Sequence, residues 1–214
     1  EVVSIVGASG AGKSTLLLAL ACLIKRERGR ILFHGQVVST RRETFAYRRR
    51  IAVVFQEPLL FDTTVYANVA SGLGIRRLER REIRESVERR LDQFHIAHLR
   101  QRSARKLSGG EAQRTSLARA FAIDPEIIFL DEPFSSLDPP TRDGLLEDLQ
   151  RILKETGTTA VMATHDRLEA LRLSDGLAVM REGGIVQVGP VAEIMHHPVD
   201  EFVAERLTEY DGKK

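Results

Sequence analysis

The chain has 214 residues, of which 43% are hydrophobic and 29% charged, and its 32 basic side chains nearly balance 30 acidic ones. This composition excludes a disordered chain and predicts one domain, with or without an insertion. The net charge of +2 does not indicate nucleic-acid binding, and the single cysteine, Cys22, excludes an internal disulfide and favours a reducing compartment. The longest apolar run, Leu16 to Ile24, is too short to span a bilayer.

A glycine-rich loop lies between a predicted first strand and a predicted first helix. The apolar run Val2 to Val6 predicts a buried strand, and Leu16 to Ile24, apolar on all sides, predicts a buried helix that begins near Lys13. Between them, Gly7-Ala8-Ser9-Gly10-Ala11-Gly12-Lys13-Ser14 fits the phosphate-loop pattern G-x-x-x-x-G-K-S/T. Its glycines allow backbone N–H groups to converge on a phosphate, Lys13 can reach the β- and γ-phosphates, and Ser14 can ligate Mg²⁺. The loop therefore predicts binding of ATP and Mg²⁺.

The remaining elements alternate between strands and helices. Strands are predicted at residues 31–33 and 36–38, on either side of a turn at His34-Gly35, and at 51–55, 127–130, 159–163, 177–180 and 185–188, the last two as a hairpin. Residues 76–119 are rich in charge with a helical period and predict an inserted helical lobe. Further helices are predicted at 142–155, at 167–173 and in the C-terminal segment. This alternation predicts a mostly parallel sheet with helices on both faces.

Two carboxylates, Asp131 and Glu132, follow the apolar run 127–130, which predicts a central strand. In open α/β sheets, ligands bind at the carboxyl ends of the strands. Asp131 is therefore placed to hold Mg²⁺ or its waters, and Glu132 to orient or deprotonate an attacking water, which contributes roughly 10²–10⁴ in rate. A solvated acidic turn before Pro133 is the alternative, and the phosphate loop earlier in the chain argues against it.

A third motif, Leu107-Ser108-Gly109-Gly110-Glu111, lies between the other two. Because Glu111 follows Ser108 by three residues, the segment fits a capping box and predicts the start of a helix at residues 112–122. A helix start alone does not explain two consecutive glycines, which weaken the first turn. Glycines are expected where the backbone must approach a phosphate closely.

This motif, with Gln113-Arg114 and the Leu-Ala-Arg-Ala run at 117–120, resembles the signature segment of ABC-type ATPases. The resemblance covers almost the whole chain in the family's order. Gln56 is similar to the Q-loop glutamine, Ser136-Leu137-Asp138 to the D-loop, and His165 to the switch histidine.

The resemblance implies an α/β fold: a phosphate-loop, RecA-like and mostly parallel sheet flanked by helices, with a small antiparallel β part. The chain would form one ATPase domain over 1–214, with the core at about 1–56 and 120–214 and an inserted helical subdomain at about 57–119. The N-terminal strand that carries the family's adenine-stacking aromatic residue is expected to be missing from this sequence, which begins at Glu1.

The resemblance also implies a head-to-tail homodimer with two ATP molecules at its interface. The residues assigned to ATP are Gly7, Ser9, Gly10, Ala11, Gly12, Lys13, Ser14 and Thr15 of one protomer and Ser108, Gly109 and Gly110 of the other. Those assigned to the metal are Ser14, Gln56 and Asp131, and those assigned to catalysis are Glu132, His165, Gln56 and Lys13. In this scheme Glu132 polarises the water and His165 contacts the γ-phosphate. Gln56 senses Mg²⁺ and links the site to the helical lobe, and Asp138 communicates across the dimer.

Several features favour the ATP-binding subunit of an importer. Residues 102–106 lack the glycine-containing acidic segment of family exporters, and the lobe has no long coiled-coil insertion of the DNA-repair kind. Residues 58–65 and 137–142 resemble importers of small inorganic anions, tungstate among them. The implied partners are transmembrane permease subunits and, through them, an extracytoplasmic solute-binding protein, with no nucleic acid. We therefore expect the protein at the cytoplasmic face of the cell membrane.

Two alternatives within the family stay open: a soluble ABC ATPase without a membrane partner, and an exporter nucleotide-binding domain. A GTP-driven switch is disfavoured because the N-K-x-D motif is missing: the only asparagine, Asn68, is followed by Val69. The histidine pairs His95/His98 and His196/His197 lack further ligands nearby and do not predict a metal site.

Overall fold

The structure is a computed structural model that describes residues 1–76 and 78–208. Its strands are β1 (Val2–Gly7), β2 (Leu32–Phe33), β3 (Gln36–Val37), β4 (Ile51–Val54), β5 (Ile127–Asp131), β6 (Thr159–Thr164), β7 (Gly176–Arg181) and β8 (Gly184–Pro190). Its helices are α1 (Lys13–Leu20), α2 (Arg41–Arg48), α3 (Val65–Ile75), α4 (Arg80–Gln93), α5 (Gly109–Ala122), α6 (Pro139–Thr156), α7 (Arg167–Leu173), α8 (Val191–His196) and α9 (Glu201–Thr208). In this part of the chain, no helix combines the length and apolar character needed to cross a membrane.

The larger sheet has the strand order β4-β5-β6-β1-β7-β8. All its neighbouring strands run parallel except β7 and β8, which form an antiparallel hairpin. The register pairs Val54 with Leu130 and Asp131 with Ala163, so the carboxyl ends of β4, β5 and β6 meet at one edge. The small antiparallel pair β2–β3 is separate. The predicted fold class and the predicted hairpin are confirmed.

The helical segment packs onto the sheet through a shared apolar cluster. Buried side chains from α3, α4 and α5, such as Val69, Leu91 and Phe121, join Leu130 of β5 and Leu149 of α6 in that cluster. Because α5 ends at Ala122, it crosses the boundary predicted near residue 119. The division into a core and a helical subdomain therefore stays a prediction.

The apolar run 16–24 was expected to form one buried helix, and this prediction was wrong. Helix α1 ends at Leu20, and Leu23 and Ile24 are exposed. Cys22 has a φ of 57°, and hydrogen bonds from Cys22 N to Ala19 O and from Leu23 N to Leu18 O, both 2.9 Å, close the helix end. A left-handed residue with this bonding pattern stops a helix whatever its hydrophobicity.

Helix α2 was not predicted. Half of its eight residues are charged, and the helix is too short for an apolar period to stand out. The signal that was present is the spacing of Thr40 and Glu43, whose side chains each accept a hydrogen bond from the other's backbone N–H.

Candidate functional site

The glycine-rich loop between β1 and α1 depends on its glycines for both conformation and packing. Gly10 and Gly12 have φ values of 79° and 95°, in the left-handed region that glycine adopts without strain. A Cβ at Gly7 would lie 2.3 Å from the backbone oxygen of Met180. Within this segment Ser9, Gly10, Ser14 and Thr15 are exposed, whereas Gly7, Ala11 and Lys13 are buried. The loop is therefore held against the β7–β8 hairpin with one side open.

The ammonium group of Lys13 folds back over this loop. Its Nζ donates hydrogen bonds to Gly7 O at 3.0 Å and to Ala8 O at 3.1 Å. Because a lysine ammonium has three donors, one remains for a ligand. No side chain caps the N-terminus of α1, unlike those of α2, α5 and α6. The first-turn N–H groups and the remaining lysine donor together suit an anion such as a phosphate.

A hydroxyl and a carboxylate meet beside the loop. The Oγ of Ser14, in the first turn of α1, donates to Oδ1 of Asp131 at the end of β5, at 2.8 Å. Oxygen atoms of this kind are the ligands that Mg²⁺ prefers, and Mg²⁺ commonly takes one or two protein ligands beside substrate phosphates. Among the described residues, no group of three or more His, Cys, Asp or Glu side chains could hold a metal by itself. The pair therefore fits a magnesium ion shared with a phosphate.

Glu132 and His165 lie in direct contact at the ends of the neighbouring strands β5 and β6. The Oε2 of Glu132 is 3.0 Å from Nδ1 of His165. Glu132 has a φ of 45°, and its N–H donates to Ala163 O at 2.8 Å. A non-glycine residue in the left-handed region carries strain that surrounding contacts must offset, and such residues cluster at functional sites.

One cavity connects these groups to the loop. It has a volume of about 710 Å³, and its lining includes Gly7, Ser9, Glu132, Arg142, His165 and Asp166. The volume lies in the range typical of small-molecule sites. Glu132 and His165 are therefore accessible from the space in front of the phosphate loop.

Gln56 and Asp138 were the remaining candidates near this edge. Gln56 is exposed and follows the end of β4 by two residues, beside the strand end that carries Asp131. Asp138 is the N-cap of α6, and its Oδ2 accepts a hydrogen bond from Thr141 N at 3.2 Å. Hydrogen bonds with Thr141 lower the pKa of Asp138 below its ordinary value.

The signature segment occupies the start of α5. Ser108 Oγ accepts from Glu111 N at 3.3 Å, and Glu111 Oε2 accepts from Ser108 N at 2.7 Å. These bonds to Ser108 lower the pKa of Glu111. The hydrogen bonds of Ser108 thus run along its own helix, to Glu111 and Ala112, and not to the phosphate loop. Ser108 and Gly109 are exposed.

Sequence reasoning missed a set of contacts around His165. Arg142 pairs with Asp166, and the buried Glu169 accepts a hydrogen bond from Thr164 Oγ1 at 2.7 Å. Burial raises the pKa of Glu169. The sequence did predict that a helix starts at Asp166. The structure confirms this, because the Asp166 carboxylate caps α7. No local pattern predicted the pairing of Arg142 with Asp166, because the two residues lie 24 positions apart.

Comparison with known proteins identifies the family of this chain. Residues 1–135 match the family described as ABC transporter. The chain therefore belongs to the ABC transporter family, as its motifs predicted.

Two curated proteins are similar to this chain over most of its length. The molybdate/tungstate import ATP-binding protein WtpC of Thermococcus kodakarensis is 41% identical, over 95% of this chain and 61% of that protein. The sulfate/thiosulfate import ATP-binding protein CysA of Photorhabdus laumondii is 41% identical, over 98% of this chain and 58% of that protein. The chain thus spans about three fifths of the length of these relatives.

A solved structure is similar to the fold described above. CbiO1 of Clostridium perfringens, described as part of the ABC transporter complex cbiONQ, superposes with a TM-score of 0.85 at 34% identity. The match covers 92% of this chain and 79% of that one.

Proposed function

We propose that this chain is the ATP-binding and ATP-hydrolysing part of an ABC-type importer of a small solute. The observation that carries the proposal is the 3.0 Å contact between Glu132 and His165, at a cavity that Gly7 and Ser9 of the phosphate loop also line. A carboxylate in this position can act on a water that attacks a bound γ-phosphate.

The binding steps follow from the loop. Backbone N–H groups of the phosphate loop and the remaining Lys13 donor hold the phosphates of ATP, and the uncapped N-terminus of α1 adds its positive end. Ser14 and Asp131, with Gln56 from the neighbouring strand end, hold Mg²⁺. When bound, this ion neutralises charge on the phosphate oxygens.

The chemical step uses the strand ends. Glu132 orients the attacking water and accepts its proton as the new oxygen–phosphorus bond forms, while the bond from the γ-phosphorus to the β-phosphate oxygen breaks and ADP leaves. When both ring nitrogens carry a proton, His165 holds the Glu132 carboxylate through Nδ1 and donates from Nε2 to the γ-phosphate. Glu132 and His165 follow the ends of the adjacent strands β5 and β6, and their side chains lie 3.0 Å apart. A γ-phosphate bound at this edge would therefore contact both.

The start of α5 supplies the second half of the site in a neighbouring copy. Ser108 and Gly109 expose a helix N-terminus, which favours an anion. Since their hydrogen bonds stay within α5, these residues are free to contact the ATP of a second protomer. We therefore propose a head-to-tail homodimer with two shared sites, in which Asp138 lies near the interface.

We infer the partners from the similarity of this chain to import ATP-binding proteins. The helical segment at about 57–119, joined to the site by Gln56, is the part proposed to contact transmembrane permease subunits at the cytoplasmic face of the membrane. A solute-binding protein would act through that permease. Two relatives are named for oxyanions, molybdate/tungstate and sulfate/thiosulfate, which supports an inorganic anion as the solute. The spermidine/putrescine import protein PotA of Acetivibrio thermocellus, 39% identical over 98% of this chain and 59% of that protein, is the counterexample to test.

Glu132→Gln tests the chemical role directly. We expect ATP affinity within about twofold of wild type, a loss of turnover of roughly 10²–10⁴, and accumulation of an ATP-bound dimer in size-exclusion chromatography. Glu147→Gln, an exposed carboxylate on α6, is the matched control. Turnover at the wild-type rate in Glu132→Gln would contradict the proposal.

Mixing two inactive variants tests the shared site. Ser108→Arg damages one half-site and Lys13→Ala the other, so a heterodimer regains one intact site and part of the ATPase activity. Mixing that yields heterodimers without any activity would overturn the head-to-tail arrangement. Co-purification with a polytopic membrane protein separates the importer from a soluble ATPase.

A further inference from the structure

Two loops carry the groups proposed to act on the γ-phosphate, and they belong to distant parts of the chain. The first runs from Glu132 to Asp138 after β5, and the second contains His165 between β6 and α7. Their direct contact is the Glu132–His165 pair, in which the histidine side chain is 58% exposed. The Glu132 side chain is 20% exposed, so only one partner is shielded from solvent, and the pair alone fixes the two loops weakly.

A second connection lies behind that pair. Arg142, in the first turn of α6, donates from Nη1 to Oδ2 of Asp166 at 3.1 Å and from Nη2 to Leu137 O at 3.4 Å. Leu137 belongs to the first loop, and Asp166 directly follows His165. One guanidinium therefore contacts both loops, and its fork has the fixed geometry that such a link needs.

Asp166 divides its two carboxylate oxygens between two tasks. Oδ1 caps α7 by accepting from Leu168 N at 2.8 Å and Glu169 N at 3.2 Å, which leaves Oδ2 for Arg142. The backbone N–H of Asp166 donates to Thr164 Oγ1 at 3.0 Å. His165 is thus flanked by two residues whose side chains are both fixed by hydrogen bonds.

The first loop is held in a similar way. The N–H and hydroxyl of Ser135 both donate to Glu132 O, at 3.3 and 3.1 Å, and Leu137 N donates to Phe134 O at 3.1 Å. Because this short loop is joined by its own hydrogen bonds, fixing the position of Leu137 O also fixes the position of Glu132.

We propose that Arg142 and Asp166 are positioning residues that fix His165 relative to Glu132 for hydrolysis. The inference rests on the proposed ATPase function and extends it to two residues with no part in phosphate or metal binding. Neither residue acts on the water or the phosphate. Without their link the two loops keep their own hydrogen bonds but lose their common alignment.

The chain contains a matched control pair. Arg172 of α7 donates to Oδ1 of Asp143 of α6 at 2.6 Å, so it joins the same two helices away from the loops. If the Arg142–Asp166 pair only fastened α6 to α7, disrupting either pair would have the same effect. A positioning role predicts that only the pair next to the loops changes turnover.

Four variants test this: Arg142→Ala, Arg142→Lys, Asp166→Asn and the double variant Arg142→Ala/Asp166→Asn. Asparagine keeps an oxygen that can cap α7 while it removes the charge, so Asp166→Asn separates capping from pairing. We expect kcat to fall about 10- to 100-fold, the cost of misplacing reacting groups by about an ångström, with the Kd for ATP within twofold. The double variant should lose no more than the worse single variant, and Arg142→Lys should recover part of kcat.

The control Arg172→Ala and the reference Glu132→Gln are measured alongside. Wild-type kcat in both Arg142→Ala and Asp166→Asn, with Glu132→Gln inactive, overturns the positioning role and leaves the ATPase proposal intact. An equal loss in Arg172→Ala also overturns it. Wild-type kcat in Glu132→Gln overturns both. If Arg142→Ala does not fold, Arg142→Lys and Asp166→Asn decide the matter.

Discussion

Two helices of this protein begin with the same hydrogen bonds and differ in the residues between them. At α2, Thr40 Oγ1 accepts from Glu43 N at 3.2 Å and Glu43 Oε2 accepts from Thr40 N at 2.8 Å. At α5 the corresponding distances for Ser108 and Glu111 are 3.3 and 2.7 Å. The intervening residues are two arginines at α2 and two glycines at α5.

The arginines at the start of α2 favour the stability of the helix, whereas the glycines at the start of α5 favour the access of a ligand to the backbone. Glycine in a helix costs about 1 kcal/mol relative to alanine, so the start of α5 gives up stability that the start of α2 keeps. Gly110 has a packing reason, because a Cβ there would lie 2.6 Å from Thr141 Cγ2. Gly109 has none, since a Cβ there would meet nothing within 4 Å. A capping box alone therefore does not predict a phosphate site, and the glycine without a packing reason is the feature on which the proposed ATP contact at α5 rests.

Among changes at these two helix starts, Gly109→Ala has the largest expected effect on turnover. In the proposed dimer, a methyl group at this exposed position would keep a phosphate of the neighbouring protomer's ATP from the backbone N–H groups. A charge-assisted hydrogen bond is worth about 1.5–3 kcal/mol, so kcat/KM for ATP should fall roughly 10- to 100-fold. The melting temperature should stay level or rise, because alanine favours the helix.

The matched control is Arg41→Ala, at the corresponding position of α2. It should leave turnover unchanged, as that helix start has no proposed ligand. Equal turnover in Gly109→Ala and Arg41→Ala would contradict the proposal that only the start of α5 contacts ATP.

Gly110→Ala should instead act mainly through stability. The new methyl group would overlap Thr141 Cγ2, and overpacking of this kind costs about 1–3 kcal/mol of the free energy of unfolding. Thr141→Ser removes that Cγ2, so it should restore most of the stability of Gly110→Ala in urea denaturation. Failure of Thr141→Ser to restore stability would show that the glycine is there for another reason.

Local patterns in the sequence predicted much of this fold. The strand predicted at 127–130 is observed at Ile127–Asp131, and the helix predicted at 167–173 is observed over those residues. Both depend on neighbours in sequence: an apolar run stopped by carboxylates, and a capping aspartate before an amphipathic stretch. The same holds for the phosphate loop, whose glycine pattern is contiguous.

Features that neither an apolar period nor a short motif reveals were missed. The end of α1 depends on the left-handed backbone of Cys22, which apolar periodicity does not reveal. The packing need at Gly110 comes from Thr141 on another helix, and the link between Arg142 and Asp166 joins two loops across the sheet edge. The sequence could not predict which of two adjacent glycines serves packing, because that requires knowing what faces each one.

The smallest expected effect is on the pH dependence of the stability of the fold. Backbone hydrogen bonds from Thr40 and Ser39 lower the pKa of Glu43 to about 2, from an ordinary value of 4.5. The bonds to Ser108 also lower the pKa of Glu111. Since the folded pKa lies below the unfolded one, each carboxylate stabilises the fold above pH 4.5, and this contribution is lost as the pH falls towards the folded pKa.

Glu43→Gln and Glu111→Gln should therefore each flatten the acid side of the stability curve, measured by urea denaturation between neutral pH and pH 3.5. Glutamine keeps the oxygen that completes a capping box, so the helix starts should persist and turnover at neutral pH should change little. Glu147→Gln on α6 is the control for loss of a surface charge. If Glu111→Gln abolishes turnover while Glu43→Gln does not, the carboxylate of α5 has a role beyond its cap, and the two helix starts differ in more than their glycines.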